Sequence, residues 1–174
     1  MVSLGVTQKH CAMISAIATI RTASTEDAPR IHAIHTAAVR TLCAICYPAE
    51  IIDGWLLNRT PSNCLPSIER RAIFVAEVKQ EIVGFGEASP GSVVAVYVDP
   101  AAIGKGVGRI ILTHALELAH RGRSGPIRVE STLNASSFYQ HHGLVEVQRS
   151  SVKRNHVGVP IVVMEQRVAL YIKN

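Results

Sequence analysis

Few of the features that settle a function class early are present in this chain, and each lack narrows the field. The four cysteines, Cys11, Cys43, Cys46 and Cys64, are too few and too irregularly placed for the disulfide framework of a small secreted domain, so a reducing, cytoplasmic setting is expected. No apolar run approaches the roughly 20 residues that span a bilayer, and no membrane partner is expected. Aromatic residues make up only 5% of the chain. None interleaves with Arg121 and Arg123 or with the basic run Arg149, Lys153 and Arg154, as single-strand nucleic-acid binders require. The net charge of +5 therefore reads as a solvated basic surface that suits an anionic small molecule better than a nucleic acid. Internal repeats and low-complexity tracts are lacking as well.

A metal site is weakly supplied. His32, His35, Val39, Cys43 and Cys46 share one face of a periodic helix. His35 and Cys43, however, are two turns apart, about 12 Å at 1.5 Å per residue. Zinc ligands sit about 2.0–2.3 Å from the ion. Cys43-x-x-Cys46 offers half a site at most, the strand-to-helix context that activates a redox thiolate is missing, and no metal is expected.

What is present is a core. With 48% hydrophobic residues in 174, the chain can bury the interior of one domain, expected over 18–174, with 1–17 as a poorly ordered N-terminal extension. Lys9-His10 and the apolar run after it imitate a signal peptide. Ser15 and Thr19 interrupt that run, its end merges into a strand at Ala18–Ala23, and Met13 is a candidate start. Ser24-Thr25-Glu26-Asp27 is a helix-start signature leading into a helix to about Ala44, and Pro48 opens a shorter one to Leu57. The segment 58–71, with Pro61 and Pro66, reads as loop with a short helical turn. Ala72–Val78, Ile82–Ala88 and Ser92–Val98 form an antiparallel meander across turns at Lys79-Gln80 and Ser89-Pro90-Gly91. A helix over Val107–His120, a strand over Ile127–Thr132, a helix capped by Asn134 and closed by Gly143, and a hairpin of Val145–Arg154 with Ile161–Ile172 across Gly158-Val159-Pro160 complete the pattern.

Between the third meander strand and the helix after it lies Asp99-Pro100-Ala101-Ala102-Ile103-Gly104-Lys105-Gly106-Val107-Gly108-Arg109. Glycines allow the positive φ that lets successive N–H groups converge, and a helix start presents unpaired N–H groups at its positive end. An anion, phosphate above all, belongs there. Gly108 is followed by Arg109 and Ile110, which excludes a Walker loop, and the G-x-G-x-G spacing excludes a dinucleotide fingerprint.

The run Val96-Tyr97-Val98-Asp99-Pro100 followed by Ile103-Gly104-Lys105-Gly106-Val107-Gly108 resembles the phosphate-cradling motif of the GNAT superfamily of acyl-CoA-dependent N-acyltransferases, with Ile103 where that family prefers Arg or Gln. Asn134-Ala135-Ser136-Ser137-Phe138-Tyr139-Gln140-His141-His142-Gly143-Leu144 resembles its Asn-Ala-x-x-Phe-Tyr-x-x-x-Gly-Phe segment, with Leu144 for Phe. The resemblance implies an α/β GNAT fold from about Ala18 to Val168: a mixed, mostly antiparallel sheet splayed between its fourth and fifth strands and flanked by helices. It implies acetyl-CoA as cosubstrate. The backbone of Gly104 to Arg109 would take the pyrophosphate, Lys105 and Arg109 would add charge, and Val96, Tyr97 and Val98 would pair with the pantetheine as an added strand does. A backbone N–H near Val98 would serve as oxyanion donor. Asn134 and Ser137 would contact the cofactor, and Tyr139 would be the general acid beside the sulfur. Glu87, in the apolar run Ile82–Ala88, is the first choice of general base, with burial expected to raise its pKa, and Glu130 is the alternative.

The expected function is acetyl transfer to a primary amine of a small molecule or amino-acid-like metabolite. An acyl-CoA sensor acting on a partner protein, and transfer to a protein or aminoacyl-tRNA amine, stay open. So does a homodimer contact through the last hairpin.

Overall fold

The computed structural model describes residues 18–122 and 124–166, and the expectations placed on 1–17, Arg123 and 167–174 lie outside these. Its centre is a seven-stranded sheet of β1 (Thr19–Thr22), β2 (Ile73–Val78), β3 (Glu81–Ser89), β4 (Ser92–Val98), β5 (Ile127–Thr132), β6 (Val145–Arg154) and β7 (Val157–Gln166), ordered β1-β2-β3-β4-β5-β7-β6. All neighbours run antiparallel except β4 and β5. That one parallel pair holds only Ser92 against Arg128 and Val93 against Val129.

The cause of this brief pairing is visible on the other edge of β4. Glu87 pairs with Ala95 and Ala88 with Val93, so Val94 is an extra, 48% exposed residue. A bulge of this kind bends its strand, and β4 parts from β5 beyond Val93. The sheet is therefore splayed between its fourth and fifth strands, as expected.

Helices cover both faces. On one, α4 (Val107–His120) presents Ile111, Leu112, Ala115 and Ala119 to Phe74, Val93, Val98, Ile127, Val129 and Met164. On the other, α1 (Ala28–Thr41) lays Ile31 and Ile34 over Ile73, Val75 and Phe85. Beside it, α2 (Ala49–Leu56) lays Ile52 and Trp55 against Val159. The predicted start of the first helix is a capping box, in which the Ser24 N–H donates to Asp27 Oδ2 at 2.8 Å while Arg21 grips the same carboxylate at 2.6 and 2.9 Å. Within 58–71 stand a 3₁₀ turn and the five-residue α3 (Leu65–Glu69).

The last hairpin departs from expectation. Its turn is Asn155-His156, with Asn155 at φ +50°, and Gly158, Val159 and Pro160 belong to β7. A proline is tolerated inside this strand because of how its backbone is turned. The Pro160 carbonyl faces away from β6 to accept from Tyr47, and β7 pairs with β5 only from Ile161 onward, so no ladder bond is lost at the missing N–H.

Candidate active site

The glycine turn is built from its first residue. The Asp99 carboxylate accepts the Ala101 N–H at 2.9 Å, capping a 3₁₀ turn at Pro100–Ala102, and binds Arg30 of α1 at 2.7 Å; the Ala101 N–H first, and Arg30 after it, hold its pKa below the usual range. Gly104 and Gly106 take φ +77° and +80°, where a side chain would be strained. Gly108 sits in the first turn of α4, where a Cβ would meet the Phe138 ring at 3.4 Å, close to ordinary contact. The first intrahelical bond runs from the Ile110 N–H to the Gly106 carbonyl, so the N–H groups of Val107, Gly108 and Arg109 have no partner within the helix. Lys105 folds back to donate to the Ala101 carbonyl at 2.9 Å. Arg109 is exposed and lines the cavity, and Ile103 stands 49% exposed at its rim.

Where β4 parts from β5, a cavity of about 530 Å³ opens between the end of α1, the second half of β4, the glycine turn and the helix α5 (Ser136–His141). The Asp99 N–H donates to the Val83 carbonyl of β3. By alternation the backbone of Tyr97 also faces β3, while the N–H and C=O groups of Val96 and Val98 turn toward the gap. Of the three strand residues expected to pair with a ligand, two thus offer their backbone. Tyr97 instead offers its ring, on the α1 face, stacked on Phe85.

Tyr139 is fixed by the way its helix ends. With Gly143 at φ +83°, the Leu144 N–H returns to the Tyr139 carbonyl and the Gly143 N–H to that of Gln140, the paired bonds of a Schellman closure. The Tyr139 ring is 5% exposed, packs edge-on against Phe138 and lines the cavity. Burial, and next the neighbouring Tyr97, raise its pKa above the ordinary 10.0, so the hydroxyl keeps its proton.

Asn134 is not the helix cap that its spelling suggests. A 3₁₀ turn at Leu133–Ala135 precedes α5, whose cap residue is Ala135, and Asn134 Oδ1 is buried at the cavity wall with no partner. Ser137 is exposed and absent from the wall, and its carbonyl accepts from His141 Nδ1 within the helix. Glu87 also stands off the cavity. Gly84, Gly86 and Ala88 face α4, so Glu87 points to the α1 side, half-buried and within electrostatic reach of the Cys64 thiol. Glu130 is exposed and paired with Arg154 at 3.5 Å.

The α1 side carries residues that the sequence reading passed over. The Tyr47 hydroxyl donates to the Pro160 carbonyl at 2.7 Å and accepts from the Leu133 N–H at 2.9 Å, tying the α1–α2 connection to β7 and to the segment before Tyr139. Tyr47→Phe leaves both backbone groups unpaired, and a loss of about 1–3 kcal/mol in urea denaturation is expected. Asn155 Nδ2 donates to the Trp55 and Leu57 carbonyls at 2.8 and 2.7 Å, so the tip of the last hairpin caps α2. No spacing rule signals either contact, since the partners are 86 to 113 positions apart.

His35 is buried between Trp55 and Tyr97, with ring centroids at 6.0 and 4.7 Å, and desolvation above all pulls its pKa down to about 3. The folded value lies below the unfolded one, so the unfolded chain takes the proton first and the stabilisation, complete above pH 6.5, is lost as pH falls. Stability is expected to drop by about 1 kcal/mol between pH 6.5 and 5.5 from this group. His35→Gln should flatten that part of the urea-midpoint profile; an unchanged slope would assign it elsewhere. Burial pushes the Cys43 thiol up to about 11, so it keeps its proton near neutrality.

Among the described residues no cluster of three or more His, Cys, Asp or Glu side chains is placed to hold a metal, and no helix is long and apolar enough to cross a membrane. The family model that matches is the acetyltransferase (GNAT) domain, over residues 69–146. No curated protein matches the chain by sequence. Its fold is shared by a GCN5-related N-acetyltransferase from Rhodopseudomonas palustris, with TM-score 0.76 and 24% identity over 90% of this chain and 99% of that one. It is shared too by the PaiA N-acetyltransferase of Thermoplasma acidophilum in complex with coenzyme A, at 0.68 and 18% over 87% and 99%. YncA of Salmonella typhimurium, a putative acetyltransferase solved with acetyl-CoA, aligns at 0.64 and 23% over 90% and 97%.

Proposed function

We propose, for a chain that has the GNAT fold and matches the GNAT acetyltransferase domain over residues 69–146, that it moves an acetyl group from acetyl-CoA to a primary amine of a small molecule. The observation that carries this is the opening of β4 from β5 after two paired positions, which turns the Val96 and Val98 backbone toward a cavity lined both by the first turn of α4, with its unpartnered helix N–H groups, and by Tyr139. The orphaned Asn134 Oδ1 adds a waiting acceptor for an amide N–H.

Bound there, acetyl-CoA supplies an activated thioester. Val107, Gly108 and Arg109 would hold its phosphates by their N–H groups, with the Arg109 side chain adding charge. Val96 and Val98 would pair with its amides, and the Val98 N–H would stabilise negative charge developing on the carbonyl oxygen. As the amine nitrogen bonds to the acyl carbon and the carbon–sulfur bond breaks, Tyr139 gives its proton to the sulfur. Glu87 takes the amine proton through water. It faces the α1 side and, among the described residues, has no cation at ion-pair distance, whereas Glu130 is held by Arg154. The location is proposed to be cytoplasmic.

The test is thiol release from acetyl-CoA across a panel of amines, with the acetylated product identified by mass. Release with at least one small amine supports the transferase. Tight acetyl-CoA binding with no release to any small amine, peptide or charged tRNA would instead identify a sensor.

A further inference from the structure

Resting on the transferase reading, we propose that the acceptor amine carries a carboxylate, received on the α1–α2 side by Arg59, Trp55 and Arg154. Four of the five buried polar side-chain atoms without a hydrogen-bond partner among the described residues lie on α1, α2 or just beyond: His35 Nδ1, Thr36 Oγ1, Trp55 Nε1 and Arg59 Nε. Trp55 is 3% exposed and His35 7%. An indole N–H can only donate, and so can a guanidinium N–H. Buried donors without acceptors are costly, and a carboxylate that reached them would supply the acceptor each one lacks.

The fold gathers these donors. Asn155 clasps the end of α2 through the Trp55 and Leu57 carbonyls, so Arg154, its neighbour in the chain, is drawn to the same place as Trp55, and Arg59 follows Leu57 by two residues. The charges of Arg59 and Arg154 both reach His35 and Tyr97. His35 meets Trp55 edge-on at 6.0 Å, and Tyr97, which it touches, also walls the acetyl-CoA cavity. A ligand seated on this cluster would lie against the wall behind which the thioester is proposed to bind.

The carboxylates nearby do not fill the seat. Glu130 binds only Arg154, at 3.5 Å, and no carboxylate is within ion-pair distance of Arg59 among the described residues. Glu87 and Arg59 both act electrostatically on the Cys64 thiol. His35 stays neutral there and adds no charge of its own. A carboxylate matches an N–H fork better than a neutral amide does, because each hydrogen bond is then charge-assisted.

The test compares the standard amino acids with their carboxamides and their decarboxylated amines, in wild type, Arg59→Ala and Arg59→Lys. Wild type is expected to favour at least one acid over its amide and its amine by about 10- to 100-fold in kcat/KM. Arg59→Ala should abolish that preference through KM for the acid, and Arg59→Lys should restore part of it. Amides or amines used as well as the acids would overturn the inference while leaving the transferase intact. So would an equal loss for all three classes in Arg59→Ala. Binding of the same compounds to the coenzyme A complex, followed by calorimetry, separates the two readings: Arg59-dependent binding of an acid without acetylation supports the anion seat and sinks the transferase.

Discussion

Tyr139→Phe is expected to lower kcat by about 10²- to 10³-fold while acetyl-CoA binds nearly as well as to wild type. The change removes one oxygen from a side chain whose ring is otherwise buried against Phe138 and the core of the α4 face, so the cavity keeps its shape. What is lost is the proton for the departing sulfur. Stopped-flow thiol release under saturating acetyl-CoA reads the chemical step directly. Because burial and Tyr97 raise the Tyr139 pKa, wild-type kcat should show no fall from deprotonation of this acid below about pH 10. If Tyr139→Phe turned over at the wild-type rate, Tyr139 would be a packing residue and the acid would lie elsewhere.

Ile111→Ala is expected to cost about 2–5 kcal/mol of folding stability, read as a lower urea midpoint with an unchanged slope. Ile111 is fully buried, and its Cδ1 and Cγ2 reach within 2.7 and 2.8 Å of where side chains would begin at Gly84 and Gly86. It therefore packs on the bare backbone of β3. Strand backbone held on both edges by β2 and β4 cannot collapse into the space a lost isoleucine leaves, so the penalty belongs in the upper part of the range. The same contact seats α4, whose first turn carries the free N–H groups of the glycine turn. A loss under about 1 kcal/mol would mean that α4 can slide to refill the gap.

Much of the architecture was legible because it is written locally. The meander turns at Lys79-Gln80 and Pro90-Gly91, the strand Ile127–Thr132 and the helix Val107–His120 stand where periodicity and turn residues place them. The last hairpin was misread because Gly-Val-Pro is strong turn chemistry. Only the partner of Pro160, Tyr47, shows why a proline can lie within that strand. Asn134 was misread for a related reason: an asparagine before a helix is a good cap in isolation, but the intervening 3₁₀ turn shifts the cap to Ala135 and frees the amide for the cavity.

The site divides along the same line. Gly104, Gly106 and Tyr139 were identifiable because their roles depend on neighbours a few residues away: the φ of a turn, the start of α4, the closure at Gly143. The α1–α2 side was not, because Tyr47, His35, Trp55, Arg59 and Asn155 acquire meaning only when β7 and α2 are brought together across about a hundred residues. The sequence alone determined the order of elements, the glycine turn before α4 and the helix closure that follows Tyr139, since backbone conformation and helix ends follow from short-range sterics and hydrogen bonding. Tertiary structure decided the opening of β4 from β5, the removal of Glu87 and Ser137 from the cavity wall and the gathering of unpaired donors around Trp55. Those depend on register, packing and desolvation, which no short stretch of chain contains.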